Sequence, residues 1–141
     1  MVLRRLTEKG ELDRVLAVND LTDNKTLAHL FKYDSSQGIF DAEVSHDDES
    51  ITINGHRIKA SAERDPAALP WGDLGVEVVL ESTGFFVDRA GAGKHLEAGA
   101  RKGLISAPAK EPDLTMCLGI NDDLYNAEEH HIVSNASCTT N

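Results

Sequence analysis

"VEVVLESTG", residues 76–84, is an apolar run interrupted only by Glu77 and Glu81 and closed by Ser82-Thr83-Gly84. Short runs of this kind, bounded by turn residues, suit a strand covered on both faces of a parallel sheet. Similar segments lie on either side. Upstream, "RVLAVN" (14–19) reads as a second buried strand and ends at Asp20. Downstream, a helix passes through His95, Leu96 and Ala98, and the strand "GLIS" (103–106) follows. "TMCLG" (115–119) and "HIVSN" (131–135) are two further short apolar runs. Helices alternating with apolar strands predict an α/β fold built on a doubly wound parallel sheet.

The N-terminal third fills in that pattern. Val2, Leu3 and Leu6 share one helical face, and Gly10 stands where a helix end wants a left-handed residue. Thr22 or Asp23 is placed to cap a second helix whose Leu27, Leu30 and Phe31 line one side. Between residues 42 and 62 the period changes. Ile51, Ile53 and Ile58 alternate with polar residues around Asn54-Gly55, a type I′ turn signal, so an antiparallel hairpin interrupts the α/β chain. The acidic run Asp47-Asp48-Glu49 reads as an earlier, solvated turn.

Composition narrows the function. The chain has 141 residues, enough for one domain with a modest core. Its 40% hydrophobic and 27% charged content is that of an ordinary globular protein. A formal charge of −10 argues against nucleic acid or an anionic membrane as partner. An anionic ligand must therefore be held by local groups against the global field. Two cysteines, Cys117 and Cys138, form no disulfide framework and no C-x-x-C motif. The six histidines lack metal-ligand spacing, adjacent His130 and His131 included, so no metal is expected. No apolar stretch reaches membrane-spanning length, and "MVLRRLTEKGELD" lacks the apolar centre of a signal peptide. The cytoplasm is the expected compartment.

In open parallel sheets ligands bind beyond the carboxyl ends of the strands. Here those ends carry Asn19-Asp20, Ser82-Thr83-Gly84, Ser106 and Ser137-Cys138-Thr139. Dinucleotide-binding (Rossmann-type) folds place an acid at the end of the second strand, about 20 residues beyond a glycine loop. If Asp20 is that acid, the loop and the first strand would lie before Met1. Cys138 sits in "SNASCTTN" (134–141), and residues 136–141 read as a helix start whose N–H groups and dipole favour thiolate. A helix terminus supplies at most ~2 kcal/mol, roughly 1.5 pK units, which falls short of full activation. A partner base, expected to be a histidine beyond Asn141, is needed. Cys117, inside an apolar run, reads as inert.

These segments resemble a known family. "SNASCTTN" is similar to the active-site signature of phosphorylating glyceraldehyde-3-phosphate dehydrogenases. "AVNDLTD", "KYDSSQG", "ERDPAALPWGDLGVEVVLESTGFF" and "ISAPAK" resemble that family in the same order. The resemblance implies that residues 1–141 are a partial NAD-binding domain ending at the catalytic cysteine, within a two-domain homotetramer. It makes Cys138 the nucleophile and puts Ser137 and Thr139 at substrate and phosphate. Asp20 matches the ribose-binding acid, with Asn19 beside it. Arg64, Thr83, Gly84, Phe86 and Ser106 match positions lining the cofactor, although Phe86 alone reads as core.

The implied reaction is covalent oxidation of glyceraldehyde 3-phosphate with NAD and inorganic phosphate to 1,3-bisphosphoglycerate, a step of glycolysis and gluconeogenesis. Erythrose-4-phosphate dehydrogenase shares the motifs and is one alternative. A nicotinamide-independent cysteine acyl-transferase or hydrolase is another, and a non-catalytic nucleotide-binding module a third. With the first strand and the second domain absent, the 141-residue chain alone is expected to be inactive and poorly folded.

Overall fold

The computed structural model describes residues 1–139. The chain divides into two compact units, with the break between Arg64 and Asp65.

In the first unit, helix α1 (Val2–Glu8) ends as its sequence asks. Gly10 has φ +71°, and Glu11 N–H reaches back 2.9 Å to the Leu6 carbonyl. A 3-10 turn over Leu12–Arg14 occupies the approach to the first predicted strand. Strand β1 is therefore only Ala17–Asn19, partly buried along its length and at the edge of its sheet, not covered on both faces. Asp23, rather than Thr22, caps helix α2 (Asn24–Lys32), accepting from Thr26 N–H at 2.9 Å. Leu27, Ala28 and Phe31 take the inward arc of α2. Leu30 falls off that arc and is 57% exposed, contrary to the expectation that it lines the same side.

Strands β2 (Tyr33–Asp34) and β3 (Gly38–Ile39) form a small antiparallel pair. Buried Arg4 ties them to α2 by donating to the carbonyls of Phe31, Lys32 and Gly38. Next come β4 (Val44–His46), β5 (Ser50–Ile53) and β6 (His56–Ser61), an antiparallel meander. Asn54 and Gly55 both have positive φ, as a type I′ turn requires. Ile51, Ile53 and Ile58 point inward onto Leu12 and Ala28. The acidic run is a turn, but Asp47 is more than solvated. It accepts from Glu49 N–H and Ser50 Oγ and pairs with Arg57. Because β1 adds to β6 in parallel, the order is β1-β6-β5-β4, and the hairpin continues the sheet of β1.

The second unit holds β7 (Val78–Glu81), helix α3 (Arg89–Glu97), β8 (Lys102–Ile105), β9 (Leu114–Thr115) and β10 (Ile132–Ser134). All its strand pairs are parallel, in the order β7-β8-β10-β9. The expected α/β fold, an incomplete parallel sheet with an antiparallel hairpin insertion, is thus present, its parallel strands falling into two sheets with β1 and β7 at edges. Ala92 of α3 packs on Ile105 and Ile132. Gly99 closes the turn after α3 at φ +103°, where a Cβ would stand 2.5 Å from the Gly72 Cα. No other residue fits there. β7 is an edge strand: Val79 and Glu81 are buried, while Val78 and Leu80 are 56% and 39% exposed. That departs from the doubly covered strand the sequence suggested. "TMCLG" contributes only Thr115 to a strand, and Cys117 to Gly119 lie in the turn that follows. No helix among the described residues is long and apolar enough to cross a membrane.

Candidate active site

In the first unit, the strand ends bring Asn19, Asp20 and Arg64 to one side. The Asn19 side chain clasps the Glu63 backbone at both its N–H and its carbonyl, at 2.8 and 2.9 Å. Asp20 N–H donates to the Ser61 carbonyl at 3.0 Å, extending the β1–β6 ladder by one rung. The Asp20 Oδ1 accepts from Thr22 N–H at 2.8 Å, so Asp20 closes its own turn and leaves the helix cap to Asp23. Its other carboxylate oxygen has no partner among the described residues, and the side chain is exposed. Arg64 is likewise exposed and unpaired among them. A groove of about 380 Å³ is lined by Leu21, Thr22, Asn24, Lys25, His46 and Ala62, and a larger one of about 580 Å³ lies against α1; neither is lined by an expected site residue.

In the second unit, Glu81, Ile105 and Ser134 share one rung of the parallel sheet. The residues just past that rung therefore emerge along a single edge: Ser82 to Gly84, Ser106, and Asn135 onward. Ser106 N–H bonds the Glu81 carbonyl at 3.0 Å, and Asn135 N–H bonds the Ile105 carbonyl at 2.8 Å. The expected residues Thr83 and Gly84, Ser106, and Ser137, Cys138 and Thr139 lie in the segments that follow these three strands. Gly84 has φ +78° and open space where a side chain would stand.

Cys138 is exposed, whereas Cys117 is partly buried. Thr139 N–H donates to Ser137 Oγ at 3.2 Å. Residues 136, 138 and 139 are bends, and the expected helix start over 136–141 runs into positions 140 and 141, which lie outside the described residues. Ala136, with φ +56°, is left-handed and is itself no part of a right-handed helix.

Phe86 is half-buried against α3, because Gly91 leaves room for it; a Cβ there would stand 3.1 Å from the Phe86 Cα. Phe85 is the exposed aromatic, at 85%. Sequence reasoning passed over it, although paired phenylalanines at a strand end were the available signal.

It also passed over a buried polar chain. Trp71 Nε1 donates to His95 Nδ1 at 3.0 Å, and His95 Nε2 lies 2.9 Å from Glu81 Oε2. Glu81 Oε1 accepts from both Thr83 N–H, at 2.7 Å, and Thr83 Oγ1. All three of Trp71, His95 and Glu81 are only 4% exposed. Burial pushes the Glu81 carboxyl up, but the hydrogen bonds from His95 and Thr83 outweigh it and hold the group below its ordinary pKa. A charged residue ending an apolar strand was the signal, since a buried carboxylate needs partners. Ser134 is a third omission: fully buried, it donates to the Ala107 carbonyl at 2.8 Å and fixes the turn that carries Ser106.

No cluster of His, Cys, Asp or Glu suited to a metal ion occurs among the described residues. In the first unit, the second carboxylate oxygen of Asp20 at the end of β1 suits a ribose diol. In the second unit, the open glycine turn after β7 admits close approach of a ligand.

Residues 1–89 match the family model described as glyceraldehyde 3-phosphate dehydrogenase, NAD binding domain. Glyceraldehyde-3-phosphate dehydrogenase 1 of Bacillus subtilis (strain 168) is 61% identical over 140 residues, 99% of this chain and 42% of the relative. The enzyme of that name from Geobacillus stearothermophilus is 58% identical over 127 residues, covering 90% of this chain and 38% of the relative. The one from Streptomyces coelicolor is 54% identical over 138 residues, 98% and 41% of the two chains. The chain thus spans about two fifths of the length of these curated relatives. With the match running through both units, the chain belongs to the glyceraldehyde 3-phosphate dehydrogenase family.

Proposed function

We propose that the full-length protein oxidises glyceraldehyde 3-phosphate with NAD and inorganic phosphate, giving 1,3-bisphosphoglycerate through a thioester on Cys138. The observation that supports this reading is an exposed Cys138 in the segment that follows β10, whose last residue shares a rung with those just before Ser106 and Ser82-Thr83-Gly84. Residues 1–141 serve as part of the NAD-binding domain, and the whole protein works as a cytoplasmic homotetramer. The relatives are named for glyceraldehyde 3-phosphate and the matched domain for NAD, so neither the erythrose 4-phosphate nor the nicotinamide-independent alternative is favoured.

The Cys138 thiolate adds its sulfur to the aldehyde carbon, forming a thiohemiacetal whose oxygen takes a proton. Bound nicotinamide supplies the two-electron oxidation that converts this carbon to a thioester. Ser137 and Thr139 hold inorganic phosphate by their hydroxyls; its oxygen attacks the thioester, the C–S bond breaks and the thiolate is regenerated. Asp20 accepts from the adenosine ribose hydroxyls, Asn19 holds the backbone beside it, and Arg64 is placed for the cofactor's anionic or adenine end. Thr83, Gly84, Phe86 and Ser106 line its path. A histidine outside this chain takes up the thiol and thiohemiacetal protons.

The test is brief iodoacetamide labelling of the full-length protein at neutral pH, with peptide mapping, alongside Cys138→Ser. Cys138 should be alkylated before Cys117 with activity lost in step, and Cys138→Ser should bind NAD without producing acyl phosphate. Loss of activity that follows Cys117 labelling instead would overturn the assignment.

A further inference from the structure

We infer that Trp71, His95 and Glu81 form a positioning relay for Thr83, fixing its hydroxyl as a hydrogen-bond acceptor at the end of β7. The inference rests on the reading of that strand end as cofactor-facing. Indole Nε1–H can only donate, so His95 Nδ1, 3.0 Å away, must accept. The imidazole proton is then on Nε2, where it donates to Glu81 Oε2 at 2.9 Å. That leaves Glu81 Oε1 to accept both the backbone N–H and the hydroxyl of Thr83. The donors converge on the Glu81 carboxylate, from Trp71 through His95 on one side and from Thr83 on the other, so the orientation of each group fixes the next.

The consequence falls on one oxygen. Thr83 Oγ1 has given its proton to Glu81 and receives Phe85 N–H at 3.1 Å. One lone pair remains, on an exposed residue. It can take a donor, such as a ribose hydroxyl or an amide N–H, and it opposes a bare phosphate oxygen. The relay spans three elements: Trp71 before β7, His95 on α3 and Glu81 at the end of β7. Glu81 and His95 are thus positioning residues, touching no ligand themselves.

The experiment compares two substitutions of His95 in the full-length protein. His95→Gln keeps an N–H donor near the Nε2 position, within reach of Glu81. His95→Asn keeps polarity near Nδ1 but falls short of the carboxylate. NAD affinity is measured by titration calorimetry and stability by thermal unfolding. Both variants should lose stability to a similar degree, because both disturb a buried site. His95→Asn should weaken NAD about tenfold, the scale of one lost hydrogen bond, while His95→Gln stays within about twofold of the unmodified protein. Thr83→Val, at an exposed position that does not threaten folding, should weaken NAD as much as His95→Asn, and the two together no further.

Equal NAD affinities for the two His95 variants, or fully additive losses with Thr83→Val, would overturn the relay and leave the functional reading intact. Should His95→Asn not fold, an NAD affinity unchanged by Thr83→Val would overturn it alone. Failure of the unmodified protein to bind NAD would overturn the functional reading and the relay with it.

Discussion

His95 Nε2 lies 2.9 Å from Glu81 Oε2 with both residues buried, and the opposite edge of the imidazole is held by Trp71. The pair is a one-way arrangement: the ring donates to the carboxylate and accepts from the indole. A neutral amide in place of the carboxylate cannot satisfy it. In Glu81→Gln the amide NH2 faces either His95 Nε2–H or Thr83 N–H, and turning the imidazole tautomer sets Nδ1–H against the indole. Glu81→Gln should therefore cost about 1–3 kcal/mol despite its matched shape. Adding Trp71→Phe frees the tautomer, so the double variant should be more stable than the sum of the single losses predicts. Thermal unfolding of the full-length protein and the three variants completes a double-mutant cycle. Strict additivity would count against the fixed tautomer.

Acid should destabilise the second unit through two carboxylates. Burial pushes Asp113 up, but N–H donors from Ile132 and His131, with the charge of Arg89, hold it below its ordinary value. Glu81 is lowered for the reasons given above. A carboxylate depressed in the folded state contributes stability that is present above its unfolded pKa and lost as pH falls through the folded one. The unfolding temperature should thus hold near neutrality and fall below about pH 4. Asp113→Asn should flatten part of that fall, because an amide keeps an acceptor for one N–H without titrating. An acid branch of identical slope in Asp113→Asn would remove Asp113 from the account.

Much of the fold was legible because it rests on local rules. Gly10, Asp23, Asn54-Gly55 and the alternation of Ile51, Ile53 and Ile58 each specify their own turn, cap or face. What the sequence concealed depends on position in the sheet. Val78 and Leu80 read as core because apolar strands usually are core, yet β7 lies at an edge where one face stays open. Leu30 matched helical spacing but fell outside an arc set by α2's docking on Ile51 and Ile53. The strand ends that carry the expected site residues were legible because strand ends of a parallel sheet align. Their supports were not: Asn19 with Glu63, Ser134 with Ala107 and His95 with Glu81 are pairs distant in sequence that only folding brings together.

Cofactor choice follows from Asp20. Its exposed carboxylate has one oxygen committed to Thr22 N–H and one free. The free oxygen can accept from a ribose hydroxyl but repels a 2′-phosphate. The full-length protein should prefer NAD to NADP, and Asp20→Ala should weaken NAD while narrowing the preference. Arg64 is an exposed cation just beyond Glu63, whose backbone Asn19 clasps, so Arg64→Ala should leave the preference largely in place while lowering affinity for both cofactors. Steady-state kinetics with each cofactor decide it. Equal use of NAD and NADP by the unmodified protein would remove the ribose role from Asp20.

The two sheets each leave a parallel edge strand without a second neighbour, β1 in one unit and β7 in the other. The edge at β7 is the more hazardous, because Val78 and Leu80 are exposed beside unpaired backbone groups. Natural edges are blunted by lysine, proline or bulges, and residues 78–81 contain none of these. The 141-residue chain expressed by itself should therefore self-associate in a concentration-dependent way. Lysine at Val78 and Leu80 together should reduce that association, since charge on an edge opposes strand pairing. In the full-length protein, where a further strand is expected beside β7, the same pair should instead lower the unfolding temperature by burying charge at a strand contact. Sedimentation velocity over a concentration series reads the first outcome and thermal unfolding the second. A monodisperse isolated chain would refute the open edge, and an unmoved unfolding temperature in the full-length protein would refute a strand covering it.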